Sequence, residues 1–420
     1  MLYTYLDSFL EKYKILATYL LYLIPVALLT GPFLPDLFLS LIGLFFLIYS
    51  LRHKLWNYYK NYFTLIFMLF YLYLLFRCFF SELIVYSLEG TLFYFRYLFF
   101  SLSVFYLFNN NPNLAKNLGL SIFYTLILAG LDAYLQWITG FNIFGWTAAG
   151  RTDRLAGFFG DELIIGGYFA RLTPVALGLL IYHYPPTKIR IALGISFLIF
   201  VDVLIFGSGE RAAFFFISLF SLLLIFLSNS YKFYRFITFT ISFIIISLVT
   251  VLVPSSNTKV RETFNQTTTN LASPLAPYTP LHEEHYIVAL KLFADNPIFG
   301  QAPNMFDILC QEDKYYYSAE GCTSHPHNSY IQLLAETGIV GFLFLLFAFM
   351  TTSFLLFRQF LGVINITKYK MPEYVIFLLS GIFIMLWPLI PTGSFYNNWT
   401  NVMYYLPLGF ILHHFYQKKI

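Results

Sequence analysis

The sequence predicts an all-α protein that crosses a membrane about twelve times. Three observations lead to this fold class: the composition, a series of long hydrophobic segments, and the placement of the basic residues. Of the 420 residues, 59% are hydrophobic and 11% are charged, whereas soluble domains carry about 25% charged residues. Aromatic residues make up 21% of the chain, and such side chains suit lipid and the membrane interfaces. A bilayer is therefore the expected solvent for most of this chain.

Hydrophobic segments recur along the whole sequence. A helix needs about 20 mostly apolar residues to cross the hydrocarbon core of a bilayer. By this criterion we predict spans at 15–29, 33–51, 62–80, 91–108, 118–137, 163–182, 191–206, 212–227, 237–253, 339–357, 374–389 and 399–415.

Basic residues give these spans an orientation. With the N-terminus inside, 15 of the 25 Lys and Arg residues fall in cytoplasmic segments, and each of those segments holds at least one. This is the asymmetry that orients membrane helices, so we predict that both termini are cytoplasmic. The residues assigned inside are Lys12, Lys14, Arg52, Lys54, Lys60, Lys116, Lys188, Arg190, Lys232, Arg235, Arg358, Lys368, Lys370, Lys418 and Lys419.

The chain divides into three parts on this topology. Residues 1–253 hold nine membrane helices, 254–338 form one large external loop, and 339–420 hold three more helices. The loop is too long to be a simple connector. Ionisable residues inside spans usually face a partner or a cavity. We expect Arg77 to extend outward from its helix end, and Arg96 and Arg171 to pair with Asp132 or Glu162.

Within the external loop, residues 281–295 have helical periodicity, with His282 and Tyr286 on one face and His285 on another. Cys310 and Cys322 follow. An external compartment is oxidising and permits a disulfide between them. Two free thiols would be the alternative in a cytoplasmic loop, which contradicts the predicted topology.

A histidine motif, Ser324-His-Pro-His-Asn-Ser329, precedes the tenth span. Pro326 suits the first turn of a helix, with Ser324 or His325 as its cap. His327 would then lie in the first helical turn, where the macrodipole disfavours a protonated imidazole. A neutral histidine can act as a general base. The alternative is a pair of surface histidines at a helix start.

Arginines at external helix ends form a second candidate site. Arg154, Arg211 and Arg261 lie at such ends, and Glu162 follows Arg154 closely. Guanidinium groups at helix N-termini bind phosphate, so we predict a shared pyrophosphate site; stray interfacial cations are the alternative. Neither metal-binding nor nucleotide-binding motifs are evident, and no basic run suits nucleic acid. We expect no metal, cofactor or nucleic acid.

Four short stretches carry a resemblance to a known family. Residues 325–341, HPHNSYIQLLAETGIVG, closely resemble the signature of the O-antigen ligase and O-antigen polymerase superfamily, including its spacing from His327–Asn328 to Gly338. Residues 289–300, 209–213 and 154–163 are similar to other motifs of that superfamily. Many relatives carry arginine where His282 stands.

The resemblance implies a GT-C-like fold and a glycosyltransferase at the periplasmic face of a bacterial inner membrane. The donor would be a glycan on undecaprenyl pyrophosphate. A ligase, with the lipid A core as acceptor, is favoured over a repeat-unit polymerase; a transporter of lipid-linked sugar is a third possibility. His327 and Arg211 would be catalytic, and substrate would contact Arg154, Arg261, Glu162, His325, His282 and Asn328.

Overall fold

Sixteen α-helices run through the residues that the computed structural model describes, 12–147, 154–269 and 278–419. This confirms the predicted all-α class. The helices are α1 Tyr13–Ala27, α2 Phe33–Arg52, α3 Tyr62–Cys78, α4 Ile84–Thr91, α5 Arg96–Asn110, α6 Leu114–Thr139, α7 Ile165–His183, α8 Lys188–Ser208, α9 Arg211–Leu227, α10 Lys232–Leu252, α11 Pro254–Thr269, α12 Pro280–Asp295, α13 Phe306–Leu309, α14 Ser329–Val363, α15 Glu373–Met385 and α16 Asn398–Tyr416.

Every predicted span overlaps a helix of this series. Eight helical stretches in the described residues are long and apolar enough to cross a membrane, which makes the protein a multi-pass membrane protein. Three shorter apolar helices, α3, α9 and α15, accompany them. The remaining predicted span corresponds to α16, which has 19 residues and two histidines in its last turn. The number twelve therefore stays a prediction.

The core of the bundle forms around α5 and α7, which are the most deeply buried of the long helices. The α5 helix packs against α2 and α16, and α7 packs against α6 and α15. Gly409 lets α16 approach α5 closely, because a Cβ there would lie 2.5 Å from the Val104 Cβ and 2.7 Å from the Ser101 carbonyl oxygen. Small residues promote such close contacts between membrane helices.

A buried ion pair attaches α10 to its neighbours. Arg235 donates from both terminal nitrogens to Asp202, at 2.8 and 2.9 Å, and also to Ser221. Ser242 donates to Asp202 at 2.8 Å. The three buried side chains of α10 are Arg235, Thr238 and Ser242. Arg235 is thus inside the bundle rather than in a cytoplasmic loop as predicted, because Asp202 of α8 supplies its counter-charge.

Replacing Asp202 with alanine is expected to destabilise the protein by about 3–5 kcal/mol, since it leaves a buried guanidinium without a partner. Thermal unfolding in detergent measures this. The double variant Asp202→Leu with Arg235→Met should unfold close to the parental temperature, because it removes both charges. Equal losses in the two variants would show that charge balance is not the main contribution of this pair to stability.

Three further arginines differ from their predicted surroundings. Arg77 is only 7% exposed and donates to the carbonyl oxygens of Phe299 and Gly300, at 2.9 and 3.0 Å, instead of extending outward. Arg96 pairs with Asp36 at 3.0 Å. Arg171 donates to its own helix at Gly167 and lies near Glu210. The partners of Arg77 and Arg96 lie on other helices or loops, distant in sequence, and so could not be predicted.

A backbone crossing joins the segment after α12 to α14. Gly338, at φ 64°, interrupts α14, and the segment after α12 passes directly beside it. Built Cβ atoms on Gly300 or Gly338 would lie 2.3–2.4 Å from the opposing backbone. The Gln301 and Ala302 N–H groups donate to the Ala335 and Glu336 carbonyl oxygens at 3.0 and 2.8 Å. The crossing fixes α12 against the start of α14.

Candidate active site

Asn328 determines where α14 begins. Its side-chain oxygen accepts from the Tyr330 and Ile331 N–H groups, which makes it the N-cap, and its amide nitrogen donates to the Pro388 carbonyl oxygen at 2.8 Å. The side chain is 2% exposed. Asparagine is among the best N-cap residues, and Asn328 caps this helix in place of the predicted Ser324 or His325. Asn328 therefore holds the backbone beside His327, and its contact with substrate stays a prediction.

His327 lies one residue before this cap, not in the first helical turn. Its φ of 52° is in the left-handed region, which is uncommon for residues other than glycine. Its carbonyl oxygen accepts from the Thr392 N–H at 2.7 Å, and the Thr392 hydroxyl contacts Ser329 at 3.0 Å. The loop after α15 thus holds a strained conformation, and such strain concentrates at functional sites.

Four histidine rings surround this position. The His327 ring centroid lies 4.2 Å from that of His325, 5.2 Å from His285 and 5.7 Å from His282. His325 contacts the Ser324 hydroxyl through Nδ1 at 2.9 Å, and His282 contacts Thr279 in the same way at 2.7 Å. The predicted residues His282, His325 and His327 therefore meet, although two separate segments supply them.

Partial burial and crowding keep the rings neutral. Burial lowers the pKa of His327, and the neighbouring His285 lowers it further. Burial, His327, His285 and Arg211 together lower the pKa of His282 to about 4. The same burial and ring neighbours lower the pKa of His325 to about 4. A neutral His327 was predicted, but its cause is desolvation and like charge rather than a helix dipole.

The helical periodicity predicted that His285 lies on a different face of α12 from His282 and Tyr286, but the structure places it on the buried face. It is 3% exposed and turned toward His327, because the buried face of α12 comprises His285, Tyr286, Val288, Ala289 and Leu292. Its Nδ1 atom has no hydrogen-bond partner among the described residues. His285 belongs to the polar stretch His282-Glu-Glu-His285, which is typical of an exposed helix face. Nothing in the sequence shows that the Cys310–Cys322 segment covers this side of α12.

The covering segment is closed by a disulfide between Cys310 and Cys322. Inside the closed loop, the Ser318 hydroxyl donates to Glu284, and Gly321 lies against Val288 of α12. The backbone of Glu320 hydrogen-bonds to His285, which opposes the lowering of that residue's pKa by burial. The disulfide loop thus supports the back of the histidine cluster.

Reduction of this disulfide is expected to lower the free energy of unfolding by about 3 kcal/mol, the entropic value for a short loop. Thermal unfolding with and without reductant measures the loss. The double variant Cys310→Ser with Cys322→Ser is the control, because reductant should not change it further. A parental transition that is insensitive to reductant would contradict a stabilising bond; Cys78 is buried and cannot substitute.

Arg211 lies near the histidine cluster, and Arg154 lies near Arg211. Arg211 begins α9, and its charge acts on His282. Arg154 interacts electrostatically with Arg211 and packs its stem on Gly209, whose φ is 73° and where a Cβ would lie 3.2 Å from the Arg154 Cγ. The Arg154 Nε–H is buried and has no hydrogen-bond partner in the described part of the chain. Such a donor favours an anionic ligand.

Glu210 interacts electrostatically with two arginines, Arg154 and Arg171, and was not predicted as a site residue. Its carboxylate accepts from the Gly166 and Gly167 N–H groups, at 2.5 and 3.0 Å, and so caps α7. Arg154 and Arg171 both act on the same carboxylate. Burial nevertheless raises the pKa of Glu210. The Gly209-Glu-Arg211 turn therefore places one acidic residue beside Arg154 and Arg171. In the sequence, only the resemblance at residues 209–213 singled out this turn.

Two predicted residues lie apart from this arrangement. Arg261 is exposed on α11, beside Glu262, which acts electrostatically on Arg211. Glu162 is exposed on the loop before α7. Convergence of all three arginines stays a prediction.

Acidic and histidine side chains in the described ranges form no group of three or more that could hold a metal ion. The site consequently offers neutral imidazoles beside guanidinium groups. Imidazoles can accept a proton from a hydroxyl, and guanidinium groups can bind and neutralise phosphate oxygens. Together they suit the transfer of a group from a phosphate leaving group to a hydroxyl.

Comparison with known proteins agrees with the resemblance found in the sequence. Residues 194–346 match the family model of O-antigen ligase. The match begins in α8, includes the Gly209–Ala213 turn, and ends in α14 after the histidine motif; Arg154 precedes it. No curated protein matches the chain.

Proposed function

Because residues 194–346 match the family model of O-antigen ligase, we propose that this chain transfers a glycan from undecaprenyl pyrophosphate to an acceptor hydroxyl. The observation that carries the proposal is the neutral His327 in a histidine cluster whose member His282 lies near Arg211, at one end of a membrane bundle. The predicted topology places that end at the periplasmic face. The acceptor we favour is the lipid A core, so the enzyme is a ligase.

His327 acts as general base in this reaction. It takes the proton from the acceptor hydroxyl as the new bond forms between that oxygen and the anomeric carbon. General base catalysis contributes about 10²–10⁴ to a rate. The ring has the correct protonation state because burial and His285 lower its pKa. Direct attack inverts the configuration at the anomeric carbon.

Arg211 and Arg154 act on the leaving group. The bond between the anomeric carbon and the phosphate oxygen breaks, and charge accumulates on the departing lipid pyrophosphate. Preorganised guanidinium donors stabilise that charge, which is often the largest single contribution to catalysis. The buried, unpartnered Nε–H of Arg154 supports this role. His282 stays neutral beside Arg211 and leaves the anion site to the arginines.

Deletion of the gene in the source bacterium tests the proposal. A ligase predicts that surface polysaccharide on a gel loses all attached chains. A repeat-unit polymerase, the second candidate, predicts that single repeats remain attached. The two enzymes share donor and base, so the site cannot separate them. A purified protein that moves lipid-linked glycan across vesicles and forms no glycosidic bond would instead identify a transporter.

A further inference from the structure

His327 lies without the acidic partner that commonly supports a histidine base. A histidine that accepts a proton becomes an imidazolium with two N–H donors, and a carboxylate or a backbone carbonyl oxygen usually accepts from the second one. Burial and His285 act on the pKa of His327, and no carboxylate in the described part of the chain does. The second N–H of a protonated His327 therefore needs another acceptor.

The separations between the rings show which neighbour can accept. Two imidazoles joined edge to edge by one hydrogen bond have centroids about 5 Å apart, because a donor–acceptor distance of about 3 Å is added to two ring radii of about 1 Å. The His285 centroid lies 5.2 Å from that of His327, with the ring planes at 32°. The His325 ring, at 4.2 Å, is too close for this arrangement. The His282 ring is nearly perpendicular to His327, at 86°, and Thr279 engages its Nδ1 atom.

His285 combines a free acceptor atom with an engaged donor. The residue is 3% exposed, and its Nδ1 atom has no hydrogen-bond partner among the residues described. Burial lowers the pKa of His285, and a hydrogen bond with the Glu320 backbone opposes that lowering. A bond with this effect stabilises the charged ring, so the ring donates and the Glu320 carbonyl oxygen accepts. A neutral imidazole has a single N–H, which leaves Nδ1 as an acceptor.

The disulfide loop holds the Glu320 carbonyl oxygen in place. Glu320 lies in the 3₁₀ turn Ala319–Gly321, which the Ser318 side chain caps. The Ser318 hydroxyl also donates to Glu284 of α12, and the bond between Cys310 and Cys322 closes the segment. The loop and α12 are thereby joined on both sides of the His285 ring, which restricts its rotation.

We propose that His285 is a positioning residue for His327: when His327 takes the proton of the acceptor hydroxyl, its second N–H donates to Nδ1 of His285. The inference rests on the proposed function. The transferred proton stays on His327, and His285 keeps its own proton on the nitrogen that faces Glu320. A chain of two hydrogen bonds, which strengthen each other, then stabilises the imidazolium and fixes the orientation of the base.

His285 has two opposite effects on His327, and pH separates them. A charged His285 repels a protonated His327 and lowers its pKa, whereas a neutral His285 that accepts a hydrogen bond raises it. Because burial lowers the pKa of His285 itself, the neutral form is the one present near pH 7. The other titratable or charged groups that act on the histidine cluster are Arg211, His282, Glu284, Glu320 and His325. Loss of the hydrogen bond should therefore lower the pKa of His327, and loss of repulsion should raise it.

An NMR titration of ¹⁵N-labelled histidine rings tests the hydrogen bond without any substrate. The His327 signal is assigned as the one missing from His327→Asn. His285→Leu should lower the proton affinity of His327 by about tenfold, equivalent to about one pKa unit. His285→Asn should restore part of this loss, because its side-chain oxygen can accept near the position of Nδ1. An unchanged or raised pKa of His327 in His285→Leu would overturn the proposal.

Kinetic measurements then separate this role from the proposed reaction. In His285→Leu, kcat should fall by about 10-fold to 100-fold, as when a histidine loses its orienting partner, while KM for the donor is unchanged. The acid limb of the rate should move to lower pH. Leu290→Ala, on the exposed side of the same helix, is the control and should match the parental protein.

The two measurements distinguish the possible failures. The expected titration in a parental protein that transfers no glycan would retain the hydrogen bond and reject the enzyme. Parental kcat in His285→Leu, alongside an inactive His327→Asn, would reject the positioning role alone. An acid limb that moves to higher pH in His285→Leu would also reject it, since only repulsion between the two rings would then remain.

Discussion

Replacement of His327 by asparagine is expected to lower the rate of glycan transfer by about 10²–10⁴-fold, the usual contribution of a general base. Asparagine tolerates the left-handed region, so the variant keeps the backbone at φ 52° and loses only the imidazole. A transfer assay with purified protein measures the rate. Donor binding and the unfolding temperature should stay near the parental values.

His325→Ala is the matched control, since that ring stacks beside His327 at 4.2 Å but bonds to Ser324. It should keep a measurable part of the activity. The parental rate should fall as pH decreases through the pKa of His327, which lies below its ordinary value of about 6.5, because the base becomes protonated. A His327→Asn enzyme with the parental rate would refute the mechanism.

Arg211→Lys is expected to lower the transfer rate by about 10²–10³-fold, as the loss of one preorganised donor to developing charge does. A lysine ammonium preserves the charge but cannot make two parallel hydrogen bonds to a phosphate. Because Arg211 begins α9 with an exposed side chain, the substitution should leave the fold intact. Single-turnover transfer with saturating donor isolates the chemical step.

Arg261→Lys is the companion variant. Loss comparable to that of Arg211→Lys would support the predicted convergence of three arginines on one pyrophosphate. Parental activity would instead place Arg261 outside the site, in agreement with its exposed position on α11. If Arg211→Lys itself is fully active, the leaving group does not depend on a guanidinium fork.

Hydropathy predicted the membrane helices well because each span must satisfy its backbone hydrogen bonds internally, whatever its neighbours are. The 281–295 helix was predictable for a similar reason, since its periodicity and the Asn296–Pro297 stop are local signals. The sequence did not predict which face of this helix is buried. His285 is buried by a disulfide loop that follows it in the chain, and periodicity carries no information about such a cover.

For the site residues, too, local features could be predicted from the sequence and contacts between distant segments could not. His325 and His327 are close because they are two residues apart in the motif. Their contact with His282 depends on how α12 packs against the start of α14, which the sequence does not show. Glu210 and the Asp202–Arg235 pair could not be predicted, because their partners lie on other helices. The start of α14 at Ser329 differs from the predicted one, because the helix is capped by Asn328 and not by a residue beside Pro326.

The crossing at Gly300 and Gly338 has a consequence for how the enzyme tolerates different membranes. Spans tilt when the thickness of the bilayer does not match their length. Because the segment after α12 is hydrogen-bonded to the kink of α14, a tilt of that span carries His282 and His285 along with His327. We therefore expect the distances among the three rings to change little with bilayer thickness.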